Sequence, residues 1–396
     1  MMKKTILLLF AFLIAVAGAF AQKGKVTTAQ TLKDSQKLDK ALEAINEAID
    51  PENAKAEKSI SWAKTWEVRG EIYRAIYQSK DANIKKLAKD PLKTAWESFK
   101  KAIELDPKNN GGNGVKIGLT FLISDFTDQA VNAFNANNYD LALESFKYIL
   151  EIQKQPLMTE AGKDAVIDTV IIFNAGLAAY NAEKYDEAIK YYKEAAKYDY
   201  NGARTYELIA SSYTSKQDTA SALLTLQEGF EKYPENSSIL VLMINIYLNA
   251  NKVDEAMKYL ELAIEQDPGN ASFYFAQGSL YDKIAETEKA ILAYEKAIEL
   301  KPDYFDAYYN LGAIYYNKGV KQVDVANAVP SNQPDKYEVE KNKADAEFTK
   351  AIPYMEKASE VNPEDTYSLE SLKTLYYRLK MMDKFEEVNK KLEDLK

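Results

Sequence analysis

A repeat of 34 residues runs through the second half of the chain, and it limits the fold more than any other feature. A first column, mostly of small residues, contains Gly176, Ala210, Ile244, Gly278 and Gly312. Three residues later, a mostly aromatic column contains Ala179, Tyr213, Tyr247, Tyr281 and Tyr315. The second half of each repeat has the columns Ala188, Ala222, Ala256 and Ala290; Tyr192, Leu226, Leu260 and Tyr294; and Ala195, Gly229, Ala263 and Ala297. A fixed period of this length indicates an array of one small structural unit used many times.

Each repeat is predicted to form two helices, because its apolar residues recur at helical spacing in two runs. The small residues allow the two helices to approach closely, and the large aromatic residues fill the space between one pair and the next. Pro234, Pro268 and Pro302 close successive repeats and prevent the second helix from continuing. Since one helical pair cannot bury both of its faces, the pairs must stack on one another.

These columns resemble the tetratricopeptide-repeat family. The resemblance is carried most clearly by Tyr274-x-x-Gln277-Gly278-x-x-Tyr281, Ala290-x-x-x-Tyr294-x-x-Ala297 and Pro302. It recurs in Tyr308-x-x-Leu311-Gly312-x-x-Tyr315. The resemblance implies an all-α fold, a right-handed α-solenoid of stacked helical hairpins.

The resemblance extends toward the N-terminus with departures. Trp66-x-x-x-Gly70-x-x-Tyr73 is similar to a first helix, but its partner Ala95-x-x-x-Phe99-x-x-Ala102 follows a gap that is 13 residues too long. Phe126-x-x-x-Ala130 and Ala142-x-x-x-Phe146 predict the next pair. Leu38 to Ile49 is interpreted as a lone second-type helix that caps the N-terminus, which gives about eight hairpins in all.

The first helix at Tyr308 to Tyr316 meets its partner, Ala351-x-x-x-Met355-x-x-Ala358, across a gap that is 27 residues too long. Helical spacing on both sides of the turn at Val329 to Pro334 predicts an extended antiparallel helical hairpin near the C-terminus, with a flexible loop as the alternative. A last, degenerate pair is expected over 369–377 and 388–395. The predicted segments are a signal peptide over 1–21, an N-terminal cap over 22–60, irregular repeats over 61–168, a regular array over 169–318, the hairpin insertion over 319–348, and C-terminal repeats over 349–396.

The N-terminus has the pattern of a secretory signal. Lys3 and Lys4 precede an apolar run, and Ala19-Phe20-Ala21 provides the small residues that a signal peptidase recognises, with cleavage before Gln22. A membrane anchor is the alternative, although the run is short for a span. Because the chain has no Cys, it is not expected to be a lipoprotein or to contain disulfides. We therefore expect an exported, periplasmic protein with no integral membrane segment after cleavage.

Composition disfavours most chemistry. Without its signal peptide the chain has 49 basic and 60 acidic residues, a formal charge of −11, which disfavours nucleic acid as a partner. The absence of His removes the usual general base at neutral pH, and the absence of His and Cys removes the usual zinc and copper ligands. No motif for catalysis, a cofactor or calcium emerges. The expectation is a non-enzymatic protein with no cofactor.

The resemblance implies that the first helix of each pair lines a concave groove where a protein or peptide partner binds. Carried over to this sequence, the groove residues are Phe173, Leu177, Tyr180, Arg204, Glu207, Asn245, Phe275, Ser279, Asp282, Tyr309, Tyr316 and Tyr377. Phe275 and Tyr309 are the leading candidates, because aromatic side chains offer large contact areas. Most of the 28 Tyr nevertheless occupy packing columns.

The leading hypothesis is a protein-binding scaffold, with a role in envelope assembly or secretion. Two alternatives remain open. A module that binds a small molecule, such as a glycan or peptidoglycan fragment, would require a deep closed pocket. A structural homo-oligomer would use the 319–348 hairpin as its interface. The sequence does not identify the partner.

Overall fold

The structure is a computed structural model that describes residues 23–53, 56–108, 111–159 and 168–395. Helices and turns account for these residues, and no strand occurs in the ranges described. The predicted signal peptide and its cleavage site before Gln22 lie outside them. Within them, no helix combines the length and apolar character that crossing a membrane requires. The chain divides into two compact units, the first ending at Asp218 and the second beginning at Thr219.

The first unit contains eleven described α-helices and one short 3-10 helix (Pro156–Met158), and helical hairpins form most of it. They are α1 (23–34), α2 (Leu38–Ala48), α3 (Glu57–Ile60), α4 (Ala63–Gln78), α5 (Ala82–Lys85), α6 (Pro91–Leu105), α7 (Asn113–Asn135), α8 (Tyr139–Gln153), α9 (Thr169–Asn181), α10 (Tyr185–Ala196) and α11 (Ala203–Ser215). One apolar cluster runs through successive hairpins from Leu92 to Ile209. The prediction of stacked pairs with a shared interior is confirmed in this unit.

The second unit begins with one helix and continues as four hairpins. Its helices are α12 (Thr219–Lys232), α13 (Ser237–Asn249), α14 (Val253–Gln266), α15 (Ala271–Lys283), α16 (Thr287–Leu300), α17 (Phe305–Asn327), α18 (Pro334–Val361), α19 (Thr366–Arg378) and α20 (Met382–Asp394). Helices α14, α16 and α18 all end just before the Asp-Pro, Lys-Pro or Asn-Pro pairs that follow them.

The small-residue column has a direct steric cause. A Cβ added to Gly176 would lie 2.7 Å from the ring of Tyr192, and a Cβ on Gly278 would lie 2.7 Å from the ring of Tyr294. In both hairpins, the aromatic ring of the second helix occupies the space where a side chain on the first helix would begin. The small-residue column and the column of Tyr192 and Tyr294 therefore contact each other within each of these hairpins.

The same contact holds the two hairpins that carry extra residues. Gly70 of α4 faces Phe99 of α6, and Gly312 of α17 faces Met355 of α18. The extra residues after α4 include the short helix α5. Those after Gly312 lengthen α17 to 23 residues and α18 to 28, so the predicted extended hairpin is confirmed.

The prediction of a lone helix at the N-terminus was wrong. Residues 23–34 are helical and precede α2, and Val26 and Ala29 are buried with Leu38 and Ala41 in one core cluster. The segment between them has a backbone hydrogen bond from the N–H of Lys37 to the carbonyl of Leu32. The N-terminal segment is thus a complete hairpin.

A left-handed residue follows the first helix in most hairpins, and none of these residues is Gly. Its φ is near +60° at Gln36, Asn137, Glu183, Gln217, Asn251, Ala285 and Lys380. In each case the next N–H reaches back five residues to a helix carbonyl, as from Lys184 to Ala179 and from Glu286 to Tyr281. This is the Schellman arrangement, which satisfies carbonyls that the helix end leaves free.

Ala285→Gly is expected to raise the free energy of unfolding by about 1 kcal/mol, because the Ala Cβ crowds the backbone in the left-handed region. The matched control is Ala346→Gly, at an exposed position in the middle of α18, where the same change should cost about 1 kcal/mol. Urea unfolding followed by circular dichroism measures both. Destabilisation by both substitutions would contradict the assignment of strain to Ala285.

Candidate functional site

The predicted groove residues all lie on first helices, and the two units are described separately. In the first unit they stand on α9 and α11. Phe173 is 7% exposed, with its ring centroid 5.5 Å from that of Tyr192 and 5.3 Å from that of Tyr200. Leu177 and Tyr180 are half-buried beside it. Phe173 therefore packs in the core beneath this face, and Leu177 and Tyr180 form the accessible part.

The two charged groove residues of α11 neutralise each other. Arg204 Nη1 donates to Glu207 Oε2 at 2.8 Å. The Arg204 side chain is 65% exposed, whereas that of Glu207 is 9% exposed. Only the guanidinium is presented to solvent, and its charge is balanced by the carboxylate behind it.

Two equivalent tyrosines differ in how their buried hydroxyls are satisfied. Tyr294 donates to Ser279 Oγ at 3.1 Å and accepts from Asn310 Nδ2 at 3.2 Å. The positions 102 residues earlier hold Leu177 and Leu208, and the Tyr192 hydroxyl has no hydrogen-bond partner among the described residues. Burial raises the pKa of both phenols. The predicted groove residue Ser279 thus supports the core as well.

Tyr192→Phe is expected to leave stability unchanged or raise it by about 1 kcal/mol, because it removes a buried hydroxyl with no partner. Tyr294→Phe should lower stability by about 1 kcal/mol, because Ser279 and Asn310 lose their shared partner. Denaturant unfolding of the two variants gives the comparison. Equal losses in both would show that the two hydroxyls are equally well satisfied.

In the second unit the predicted residues extend over four first helices. Asn245 on α13 and Asp282 on α15 are exposed. Phe275 is half-buried, with ring centroids 5.6 Å from Tyr294 and 5.0 Å from Tyr304. Phe275 therefore presents only part of its ring to solvent and packs with the rest.

The aromatic character is strongest on α17 and α19. We define the tyrosine face as Tyr309 and Tyr316 of α17 with Tyr367 and Tyr377 of α19. Tyr309 stacks on Phe305 at 6.0 Å between ring centroids, and Tyr316 meets Phe348 edge-on at 5.5 Å. Both α17 tyrosines pack against the apolar cluster formed by α18, α19 and α20.

Tyr367 belongs to this face although the sequence analysis missed it. It is 69% exposed, and Tyr377 is 66% exposed. Burial raises the pKa of Tyr309, and the negative charges of Asp365 and of the Tyr367 phenolate raise it further. Tyr367 lies at the start of α19, the first helix of the last hairpin. This hairpin has Lys373 where the other repeats mostly have a small residue, so its alignment with the repeat is harder to establish from sequence.

A pocket of about 520 Å³ lies in the first unit, between α8, α9 and α10. It is lined by Leu150, Ile172, Tyr191 and Tyr198, together with Lys and Glu side chains of α8 and α10. Burial raises the pKa of Tyr191 to about 12. This pocket lies away from the predicted groove residues, whose faces on α9 and α11 do not line it.

Comparison with known protein families identifies repeats in the segment that contains the 34-residue period. A family model described as a TPR repeat matches residues 286–319. Two models described as tetratricopeptide repeats match residues 213–280 and 173–237. No curated protein matches the chain.

Solved structures of repeat proteins are also similar. A TPR-repeat protein from Bacteroides fragilis is 26% identical, with 64% of this chain and 98% of that chain covered and a TM-score of 0.32. The C-terminal part of a TPR repeat-containing protein from Cytophaga hutchinsonii is 19% identical, with 67% and 93% covered and a TM-score of 0.48. YrrB, described as a TPR protein with an unusual peptide-binding site, is 22% identical, with 54% and 96% covered and a TM-score of 0.35.

Proposed function

This chain carries tetratricopeptide repeats over residues 173–280 and 286–319, and from that premise we propose that it is a non-enzymatic scaffold of the bacterial periplasm that binds a partner polypeptide on its first helices. Such repeats are protein-interaction modules. The observation that carries the proposal here is the tyrosine face, where Tyr367 and Tyr377 remain mostly exposed on a well-packed helix. Large exposed aromatic groups on a rigid support are typical of protein-binding surfaces.

Export to the periplasm is supported by the Lys-led apolar run and the Ala-Phe-Ala site before Gln22. Cell fractionation and N-terminal sequencing of the mature protein test this part. A mature chain that begins at Gln22 in the periplasmic fraction is expected. A cytoplasmic protein that retains its first residues would contradict it.

The binding role is tested by site-specific photo-crosslinking in intact cells. A photoreactive amino acid at Tyr377 should capture a defined partner that mass spectrometry identifies. The same group at Leu292, which is 66% exposed on the second helix α16, serves as the control and should not capture it. Equal capture at both positions, or none at Tyr377, would contradict binding on the first helices.

Substitution of the aromatic groove residues Tyr309 and Phe275 tests the same binding role. Tyr309→Ala removes packing on Phe305 and on the apolar cluster of α18, α19 and α20, and Phe275→Ala removes packing on Tyr294 and Tyr304, so each variant should lower stability. Loss of partner capture in folded Tyr309→Ala protein supports the proposal. Unchanged capture would argue against a role for this side chain.

The two alternatives stay predictions with their own tests. A small-molecule module would use the pocket lined by Tyr191 and Tyr198, and binding of glycan fragments there would respond to Tyr198→Ala. A homo-oligomer built on the extended hairpin would become smaller in light scattering when residues 319–348 are deleted. Retained mass after that deletion would exclude this interface.

A further inference from the structure

We infer that the tyrosine face binds a basic segment of the partner, an extended stretch of polypeptide that carries Lys or Arg side chains about five residues apart. This inference rests on the proposed scaffold function and adds the chemistry of its partner. Three features of α17 and α19 support it: the exposure of the tyrosine rings, the carboxylates beside them and the spacing of the rings.

Two rings of the tyrosine face, those of Tyr367 and Tyr377, are exposed, and no Lys or Arg of the described chain lies over any of its four rings. Elsewhere the chain covers its own tyrosines: Lys193 lies 5.2 Å from the ring centroid of Tyr213, and Lys301 lies 4.8 Å from that of Tyr304. Tyr367 and Tyr377 are more exposed than any other aromatic residue described. The Tyr377 ring contacts that of Phe385, 5.6 Å away between centroids, and stays 66% exposed. A cation over a Tyr face is attracted by the ring quadrupole, so the exposed rings of Tyr367 and Tyr377 favour a positively charged ligand.

Carboxylates without an ion pair lie beside the rings. Asp306 precedes Tyr309 on α17 and Glu370 lies between Tyr367 and Tyr377 on α19, and both acids are exposed and form no ion pair within the described ranges. Asp365 caps α19 two residues before Tyr367, with one carboxylate oxygen accepting from the Ser368 N–H at 2.7 Å. Carboxylates beside aromatic rings complement Lys and Arg and repel acidic segments.

Two of the three cations closest in sequence on α19 and its C-terminal turn are already engaged. Arg378 Nε donates to Asp345 Oδ1 at 3.1 Å, and its guanidinium carbon lies 4.5 Å from the ring centroid of Phe348. Lys373 donates to Asn389 and lies 5.8 Å from the ring centroid of Phe385. Neither side chain is free to neutralise Glu370 or to cover Tyr377. Lys380, two residues after the end of α19, is exposed and forms no ion pair in the described chain, so it offsets one of the three carboxylates of Asp306, Asp365 and Glu370. The remaining acidic charge is available to a partner.

The spacing of the exposed rings sets the spacing of the cations. Tyr367 and Tyr377 are ten positions apart on one helix, which corresponds to about 15 Å along its axis. An extended chain covers that length in about five residues. A segment with two basic residues about five positions apart can place one cation on each ring.

The test uses the full-length chain and a fluorescein-labelled nonapeptide of Gly and Ser with Arg at its second and seventh positions. A second peptide with Glu in place of Arg is the ligand control. Fluorescence anisotropy at low salt should show binding of the Arg peptide only. The affinity should fall several-fold between 50 and about 200 mM salt, because exposed charges are screened.

Two sets of variants locate the binding. Tyr367→Ala with Tyr377→Ala should weaken the Arg peptide by about tenfold, since two cation–aromatic contacts are lost. Asp306→Asn with Glu370→Gln should weaken it about threefold and reduce the salt dependence. Tyr337→Ala and Asp383→Asn, which change an exposed Tyr of α18 and an exposed acid of α20, are the matched controls and should bind as the unmodified chain does. Circular dichroism establishes that each variant is folded.

Equal binding of the Glu peptide, or full affinity of the folded double Tyr variant for the Arg peptide, would overturn the inference. Its failure is distinguishable from failure of the scaffold function. If the photoreactive group at Tyr377 captures a partner while the Arg peptide does not bind, the scaffold function stands and the basic class of ligand is wrong. If the Arg peptide binds as expected but no partner is captured in cells, the recognition chemistry stands and the scaffold function is contradicted.

Discussion

Phe99→Ala is expected to lower the free energy of unfolding of the first unit by about 3–5 kcal/mol. The Phe99 ring is fully buried, and it lies between two helices that both have Gly at the point of contact. A Cβ on Gly70 of α4 would lie 2.8 Å from this ring, and a Cβ on Gly118 of α7 would lie 2.5 Å from it. Truncation therefore opens a cavity that touches two successive hairpins.

Urea unfolding monitored by circular dichroism measures this loss. Phe121→Ala provides a control of the same chemical change, because Phe121 on α7 is 51% exposed and should cost about 1 kcal/mol or less. Phe99→Leu, which keeps most of the apolar volume, should recover a large part of the loss. Similar effects of the two Phe→Ala variants would show that Phe99 does not connect the hairpins.

Asp125→Ala is expected to cost about 3 kcal/mol, because it leaves a desolvated cation without its partner. Asp125 is 5% exposed on α7, and it accepts from Arg74 Nε at 2.5 Å and from Gln78 Nε2 at 2.8 Å, both on α4. The Arg74 guanidinium also lies 4.5 Å from the ring centroid of Phe121. This network joins the first helices of two adjacent hairpins.

A double-mutant cycle separates the pair from its surroundings. Arg74→Met combined with Asp125→Leu should be more stable than the sum of the single effects predicts, with a coupling of about 2 kcal/mol. The recovery is expected because two matched apolar side chains replace two groups that need each other. Denaturant unfolding of the four proteins gives the coupling, and strictly additive effects would show that Arg74 and Asp125 act independently.

The hairpins were predictable because the repeat records a steric contact at a fixed period. Gly278 and Tyr294 are columns of the sequence because the ring of one occupies the space over the other. The same logic located the irregular pair of Gly312 and Met355 across its long insertion. Packing partners of this kind survive insertions because the extra residues lie beyond the contact.

The features that sequence reasoning missed have no side-chain signature. Helix α1 was missed because Val26 and Ala29 are its only fully buried apolar residues and because it adjoins the predicted signal peptide. The left-handed turn recurs at Glu183, Gln217, Asn251 and Ala285, each 34 residues after the last. These residues share a backbone conformation and little chemistry, so no motif marks them.

The candidate site was predictable as a set of helices and less so residue by residue. A helical wheel assigns Phe173 and Glu207 to the outward face, but Tyr192 and Tyr200 rise beside Phe173 and bury it, and Glu207 turns inward to hold Arg204. The depth of a side chain depends on neighbours in other helices, which periodicity does not reveal. Binding by any of the predicted residues stays a prediction.

The left-handed turn has a consequence for how this chain tolerates change in length. It is absent from the described connections of two hairpins, α4 with α6 and α17 with α18, and these are the two that carry the additional residues. Both hairpins keep the contact between Gly of the first helix and the large side chain of the second. The additional residues therefore lengthen the connection between the two helices without disturbing their packing. The segment between Asn327 and Pro334 is therefore the natural place to graft a foreign sequence, such as an epitope or a fluorescent domain, while the remaining hairpins keep their packing.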